Sequence, residues 1–133
     1  MLPATALLLI AHGSRRAAAN ADLEYLAAVM RDRGEFTFVQ PSYLELCDPG
    51  IVPGGELCVA AGARRVVLLP YFLSAGVHVV DDLTAARNEL AKRHPHVDFV
   101  LAEPLGRHPL LAEIVAERAR TSLIPSAQRH PSR

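Results

Sequence analysis

Two histidines stand where they could act together on one ligand. His12 follows the apolar run ALLLIA directly, and His78 comes shortly after a second apolar run, in RVVLLPYFLSAGVH. A pair of neutral imidazoles can ligate a borderline divalent ion such as cobalt or iron, and an imidazole, with an ordinary pKa of about 6.5, can take up a proton near neutral pH. Spacing alone does not separate that chemistry from two hydrogen-bonded loop histidines. The residues around them are small: Gly13 and Ser14 after His12, and Ser74, Ala75 and Gly76 before His78. Small side chains let a large planar ligand approach the backbone, and they suit tight strand-to-helix turns equally well.

The elements that must carry these residues follow from the hydrophobic pattern. Ala6 to Ala11 is a continuous apolar run, as expected of a central parallel strand buried on both faces. Leu23, Leu26, Ala27 and Met30 recur at helical spacing between Ala17 and Arg33, with Gly34 in the position of a C-terminal cap. Phe36 to Leu44 is expected to be the second strand, its ladder ending early at Pro41. The following crossover contains Pro53, Gly54 and Gly55, which cost helix stability, so that only Glu56 to Ala61 reads as comfortably helical. Arg65 to Leu73 is the strongest strand. Asp81 or Asp82 is expected to cap a helix running to His94, Val97 to Ala102 forms a fourth strand, and Pro109 opens a last helix with an apolar stripe of Leu110, Ile114 and Val115.

Strands alternating with helices imply right-handed βαβ units and therefore an α/β fold, a four-stranded parallel sheet with helices on both faces. In the flavodoxin-like order 2-1-3-4, the connections from strands 1 and 3 leave in opposite directions and open a crevice at their carboxyl ends. Both histidines fall at that switch point. Residues 1–123 make a single domain on this reading, and 124–133 a flexible polar tail.

Composition narrows the function classes. The 133 residues carry 14 basic and 14 acidic side chains, so no overall charge draws the chain to nucleic acid or to an anionic membrane. No basic stretch precedes the first apolar run, which is too short to span a bilayer, and a cytoplasmic protein is expected. Cys47 and Cys58 form no CxxC pair and read as reduced and structurally incidental, with a disulfide or a metal pair as the alternatives. His94, His96 and His130 read as surface residues, and His108, ahead of Pro109, as a cap.

The segments LLLIAHGSR, PSYLELCDPGI, ARRVVLLPYFLSAGVHVVDDL and PLGRHPLLAEIVAER, in that order and at these separations, resemble the short-form sirohydrochlorin chelatases of cobalamin and siroheme synthesis. The resemblance runs from Ala6 to about Arg118. PYFLSAGVHVVDDL is its most specific part. It implies a chelatase-type fold, a metal held by His12 and His78, a proton-accepting role for His12, and substrate contacts from Glu45 and from the loop Leu73, Ser74, Ala75, Gly76, Val77 and His78. The metal, cobalt, iron or nickel, would be a substrate; no tightly bound cofactor is expected.

Chemistry gives those roles a reason. Insertion removes two N–H protons from the tetrapyrrole and strips water from the ion, so the site needs a base and ligands weak enough to release the metal. Two histidines and water suit this better than the closed four-ligand set of a structural zinc site. Glu45 could take the second proton or anchor the substrate. The substrate's carboxylates call for arginines at the rim, Arg15 and Arg16 first and Arg107 after them. A homodimer, paired through helix faces near strands 1 and 3, would supply the wall that two-lobed relatives carry in one chain. Two alternatives stay open. HGSRRAAAN also resembles the phosphohistidine phosphatases, although Ala11 stands where their arginine would be, and a metal or tetrapyrrole carrier would show the same ligands as an enzyme.

Overall fold

The computed structural model describes residues 3–128; His130 and the second half of the expected tail lie outside them. β1 (Thr5–Ala11) has every residue from Ala6 to Ile10 buried, because its neighbours β2 (Phe38–Tyr43) and β3 (Arg65–Pro70) flank it and helices cover both faces. β4 (Asp98–Leu101) completes an all-parallel sheet of order β2-β1-β3-β4. Alternate residues point to opposite faces. Leu7, Leu9 and Val39 pack beneath α1 (Ala17–Arg33), while Leu8, Ile10, Val66, Leu68 and Phe99 pack beneath α2 (Ile51–Ala60) and α3 (Val77–Arg93). Gly34 caps α1 in the left-handed conformation, φ 72°. α4 (Pro109–Ser122) follows β4, and a short 3-10 turn at Ser126–Gln128 lies within the expected tail. No helix among the described residues is long and apolar enough to cross a membrane.

Several expectations are corrected. Pro41 does not end β2, whose pairing continues to Tyr43; β2 is an edge strand, and a proline there need not cost a ladder bond. α2 begins at Ile51, five residues before the comfortable stretch. Pro53 falls in the first turn, where its missing N–H has no helical partner to lose, and Gly54 makes the first helical bond, to Gly50 O at 2.9 Å. The glycines earn their place by contact: a Cβ on Gly55 would lie 2.5 Å from Leu90 Cδ1, and one on Gly54 would lie 3.0 Å from Leu8 Cδ1. β3 ends at Pro70, not Leu73, and α3 starts at Val77 with Gly76 as its cap, not at Asp81 or Asp82.

His94 is also not a free surface residue. It ends α3 half-buried, with Nε2 against Glu56 Oε1, while Arg93 Nη1 donates to Glu56 Oε2 at 3.0 Å. The Arg93 guanidinium and the His94 ring hold the Glu56 carboxyl below the usual carboxylate range. A carboxyl depressed in the folded state contributes stability above its unfolded pKa and loses it as pH falls through the folded value. Glu56→Gln is therefore expected to melt below the wild type at pH 7, and the gap should close as both are titrated below the range in which Glu56 ionises. Thermal melts across that range check this; a gap that persists in strong acid would assign the loss to packing.

Candidate active site

The carboxyl ends of β1, β2 and β3 form one edge, and the backbone ties their exit loops together there. Leu44 N–H donates to Ala11 O at 2.9 Å and Glu45 N–H to His12 O at 3.0 Å, which extends the β1–β2 pairing past the strands and sets Glu45 beside His12. Gly13 makes this approach possible. Its φ is 94°, and a Cβ on it would lie 1.8 Å from Glu45 O, so both its conformation and its space exclude any other residue.

The loop is held from the helix side as well. Ser14 N–H donates to Asn20 Oδ1 at 3.0 Å, Asn20 Nδ2 returns a bond to Ser14 O at 2.7 Å and reaches Cys47 Sγ at 2.8 Å, and Cys47 Sγ donates to Ser14 O at 3.1 Å. Neither Asn20 nor this place for Cys47 follows from local pattern, because the clamp joins the loop after β1 to Cys47, a segment distant in sequence. Cys47 thus has a structural part to play, contrary to the incidental reading. Cys58 is buried in α2, and burial pushes its thiol up to about 12; both cysteines are free.

From the β3 side, the Phe72 ring packs on the His12 imidazole, with centroids 4.6 Å apart and planes inclined by 31°. One face of the imidazole is thereby fixed against an apolar ring, while His12 as a whole stays exposed. His78 lies in the first turn of α3, not in a loop, and Val77 with it; Leu73, Ser74, Ala75 and Gly76 form the true connection. His78 and Glu45 are exposed. Among the described residues no group of three or more His, Cys, Asp or Glu side chains converges on a metal-sized space, so His12, His78 and Glu45 make no closed ligand set within one chain.

Exposed apolar side chains, Leu46, Leu73 and Val77, flank the same edge. Arg15 and Arg16 follow the clamped loop and are exposed, Arg16 N–H donating to Ser14 Oγ at 3.0 Å as α1 begins. Neither they nor Arg107 belong to the ion pairs found among the described residues. Arg107 lines a cavity of about 320 Å³ together with Leu73, Ser74, Ala75 and Glu103. Glu103, just past β4, carries no motif and was not anticipated from sequence. His108 caps α4 as expected, its Nδ1 accepting from Leu110 N–H at 3.1 Å. A roomier cavity of about 680 Å³ lies at the base of α4 and includes none of His12, Glu45 or His78.

The profile of the CbiX family matches residues 6–122, which takes in every element from β1 to α4. The chain belongs to the CbiX family. Membership decides between the chelatase resemblance and the phosphatase alternative. The chain is 33% identical over 120 residues to the chloroplastic sirohydrochlorin ferrochelatase of Arabidopsis thaliana, covering 90% of this chain and 53% of that protein. Among solved structures it matches the cobalt complex of the sirohydrochlorin chelatase SirB from Bacillus subtilis subspecies spizizenii, with TM-score 0.80, 26% identity, 87% of this chain and 50% of that one covered. A putative cobalamin biosynthesis CbiX protein from Marinobacter aquaeolei matches with TM-score 0.76 and 28% identity, over 90% of this chain and 97% of that one. This CbiX chain thus spans about half the length of the first two and nearly all of the third.

Proposed function

We propose that this CbiX protein inserts a divalent metal, cobalt or iron, into sirohydrochlorin. Relatives named for cobalt and for iron both support the substrate class. The observation that supports the reading within the chain is the backbone hydrogen bond from Glu45 N–H to His12 O, which brings the exit of β2 with its exposed Glu45 alongside that of β1 with its exposed His12, at the edge where α3 begins with His78 in its first turn. As the ion enters the ring, two pyrrole N–H bonds break and two metal–nitrogen bonds replace them; His12 takes one proton, Glu45 the other, and both pass to water. His12 and His78 hold the incoming ion. Two ligands from one chain bind it loosely enough to give it up. Leu46, Leu73 and Val77 offer apolar contact to the macrocycle, the loop Leu73–Gly76 lets it approach the backbone, and Arg15, Arg16 and Arg107 pair with its carboxylates.

The working unit on this reading is a homodimer, in which a second copy stands where the chains of double length carry their second half. Its place is the cytoplasm, which the two unpaired thiols favour. The test is the absorption spectrum of metal-free sirohydrochlorin mixed with cobalt(II) or iron(II), with and without the protein. Accelerated formation of the metallated spectrum is expected. Binding of ring and metal without acceleration would overturn the enzyme in favour of a carrier.

A further inference from the structure

One side chain fastens the two strand exits that carry His12 and Glu45. Asn20, in the first turn of α1, holds both backbone groups of Ser14: its Oδ1 accepts from Ser14 N–H at 3.0 Å and its Nδ2 donates to Ser14 O at 2.7 Å. The same Nδ2 donates to Cys47 Sγ at 2.8 Å, and the Cys47 thiol donates to Ser14 O at 3.1 Å. One acceptor and two donors at this length are what an amide offers. A carboxylate of the same shape lacks the donors, and its second oxygen would face Ser14 O.

The backbone under this clamp is not relaxed. The β2 exit is tied to the β1 exit by Leu44 N–H to Ala11 O, by Glu45 N–H to His12 O and by Cys47 Sγ to Ser14 O. Leu46 lies between the last two ties with φ 67°, in the left-handed region that a bulky side chain seldom occupies. Its side chain is 54% exposed, so its own packing does not hold it there. A conformation of this kind persists only where the surroundings impose it, and it recurs at functional sites. Here the ties on either side of Leu46 impose it, and the one at Cys47 runs through Asn20.

We infer that Asn20 is a positioning residue for metal insertion, which through Ser14 and Cys47 keeps His12 and Glu45 in the mutual arrangement that lets them take the two pyrrole protons. The inference rests on the chelatase reading above. Without the amide, Ser14 loses two hydrogen bonds and Cys47 one. Leu46 then relaxes toward negative φ, and Glu45, the residue before it, turns with it.

Steady-state insertion by Asn20→Ala tests it, at a temperature where circular dichroism shows variant and wild type fully folded. The limiting rate is expected to fall about 10- to 100-fold, the loss that a displacement of order 1 Å brings. The half-saturating concentration of sirohydrochlorin should change less than about 3-fold, because the transition state needs this geometry and the bound ring does not. Cys47→Ala, which leaves both bonds from Asn20 to Ser14 in place, should show a smaller loss and serves equally should Asn20→Ala not fold. Cys47→Ser, whose hydroxyl also donates and accepts, should recover most of the rate. The double variant Asn20→Ala, Cys47→Ala should be no slower than Asn20→Ala, since both residues act through Ser14. A lowered melting temperature with an unchanged limiting rate would overturn the inference and leave Asn20 a purely structural residue; so would a loss carried by the half-saturating concentration alone. Losses that multiply in the double variant would overturn the joint clamp. A wild type that accelerates nothing would overturn the chelatase reading and this role with it, whereas wild-type acceleration with an unimpaired Asn20→Ala overturns the role alone.

Discussion

Replacing His12 by alanine is expected to lower the metal-insertion rate by roughly 10² to 10⁴-fold, the range in which a positioned acid–base group contributes. The loss combines two functions, since the imidazole is both a ligand to the incoming ion and the first acceptor of a pyrrole proton. Stability should hardly change. His12 is exposed, and its ring contact is with Phe72 at the mouth of the crevice, so truncation opens no core cavity and is expected to cost less than about 1 kcal/mol. The matched variant His78→Ala should raise the metal concentration needed for half-maximal rate more than it lowers the limiting rate, because it removes a ligand and leaves the base. His108→Ala is the control, since that imidazole caps α4 and should leave insertion unaffected. Steady-state insertion followed by absorbance, with a melt of each variant, checks all three; an unaltered rate in His12→Ala would remove His12 from the chemistry.

Gly13→Ala should be the most damaging single methyl group in this crevice. At φ 94° an alanine is strained before any contact is counted, and its Cβ would lie 1.8 Å from the carbonyl oxygen of Glu45. Backbone cannot rotate aside as a side chain can, so the exits of β1 and β2 must part and the 3.0 Å bond from Glu45 N–H to His12 O must break. A loss of about 3 kcal/mol or more is expected, a fall in Tm of order 10 °C, together with loss of insertion. Gly34→Ala isolates the backbone part. Its φ is also positive, 72°, but nothing lies within 4 Å of the added methyl, so only the conformational cost of about 1 to 2 kcal/mol should appear. Equal melting temperatures for the two variants would show that the β2 exit yields freely.

The pH profile of Glu56→Gln concerns the opposite kind of feature, a group whose partners no local pattern marks. Glu56 sits on α2, and Arg93 and His94 end α3; His94 read as a surface residue in the sequence, and its half-burial comes from the packing of α2 on α3. The start of α3 was misplaced for a related reason. Asp81 and Asp82 are the residue type that caps helices, yet the cap is Gly76, five residues before Asp81 and without a side-chain cap bond, and this moved His78 from a loop into a first turn.

Hydrophobic periodicity determined the alternation of strands and helices and hence a parallel sheet, a glycine after the last helical repeat marked the end of α1 at Gly34, and the flavodoxin-like strand order, which the structure shows, then put His12 and His78 at the carboxyl ends of neighbouring strands. What only the tertiary structure decided is which groups meet at that edge and which surfaces remain open. Helix propensity counts the glycines of α2 as a cost; their benefit appears where Leu90 and Leu8 crowd against them. An amphipathic stripe on α4 announces that the helix must bury a face, but not against what. Its sequence would be the same if the helix lay on its own sheet, whereas here it buries no residue and packs substantially on no other element among the described residues. Local patterns record conformational cost and periodicity; contacts such as Glu45 on His12, Asn20 on Cys47 and Phe72 on His12 join segments far apart in the chain, and exist only once the sheet has brought their loops together.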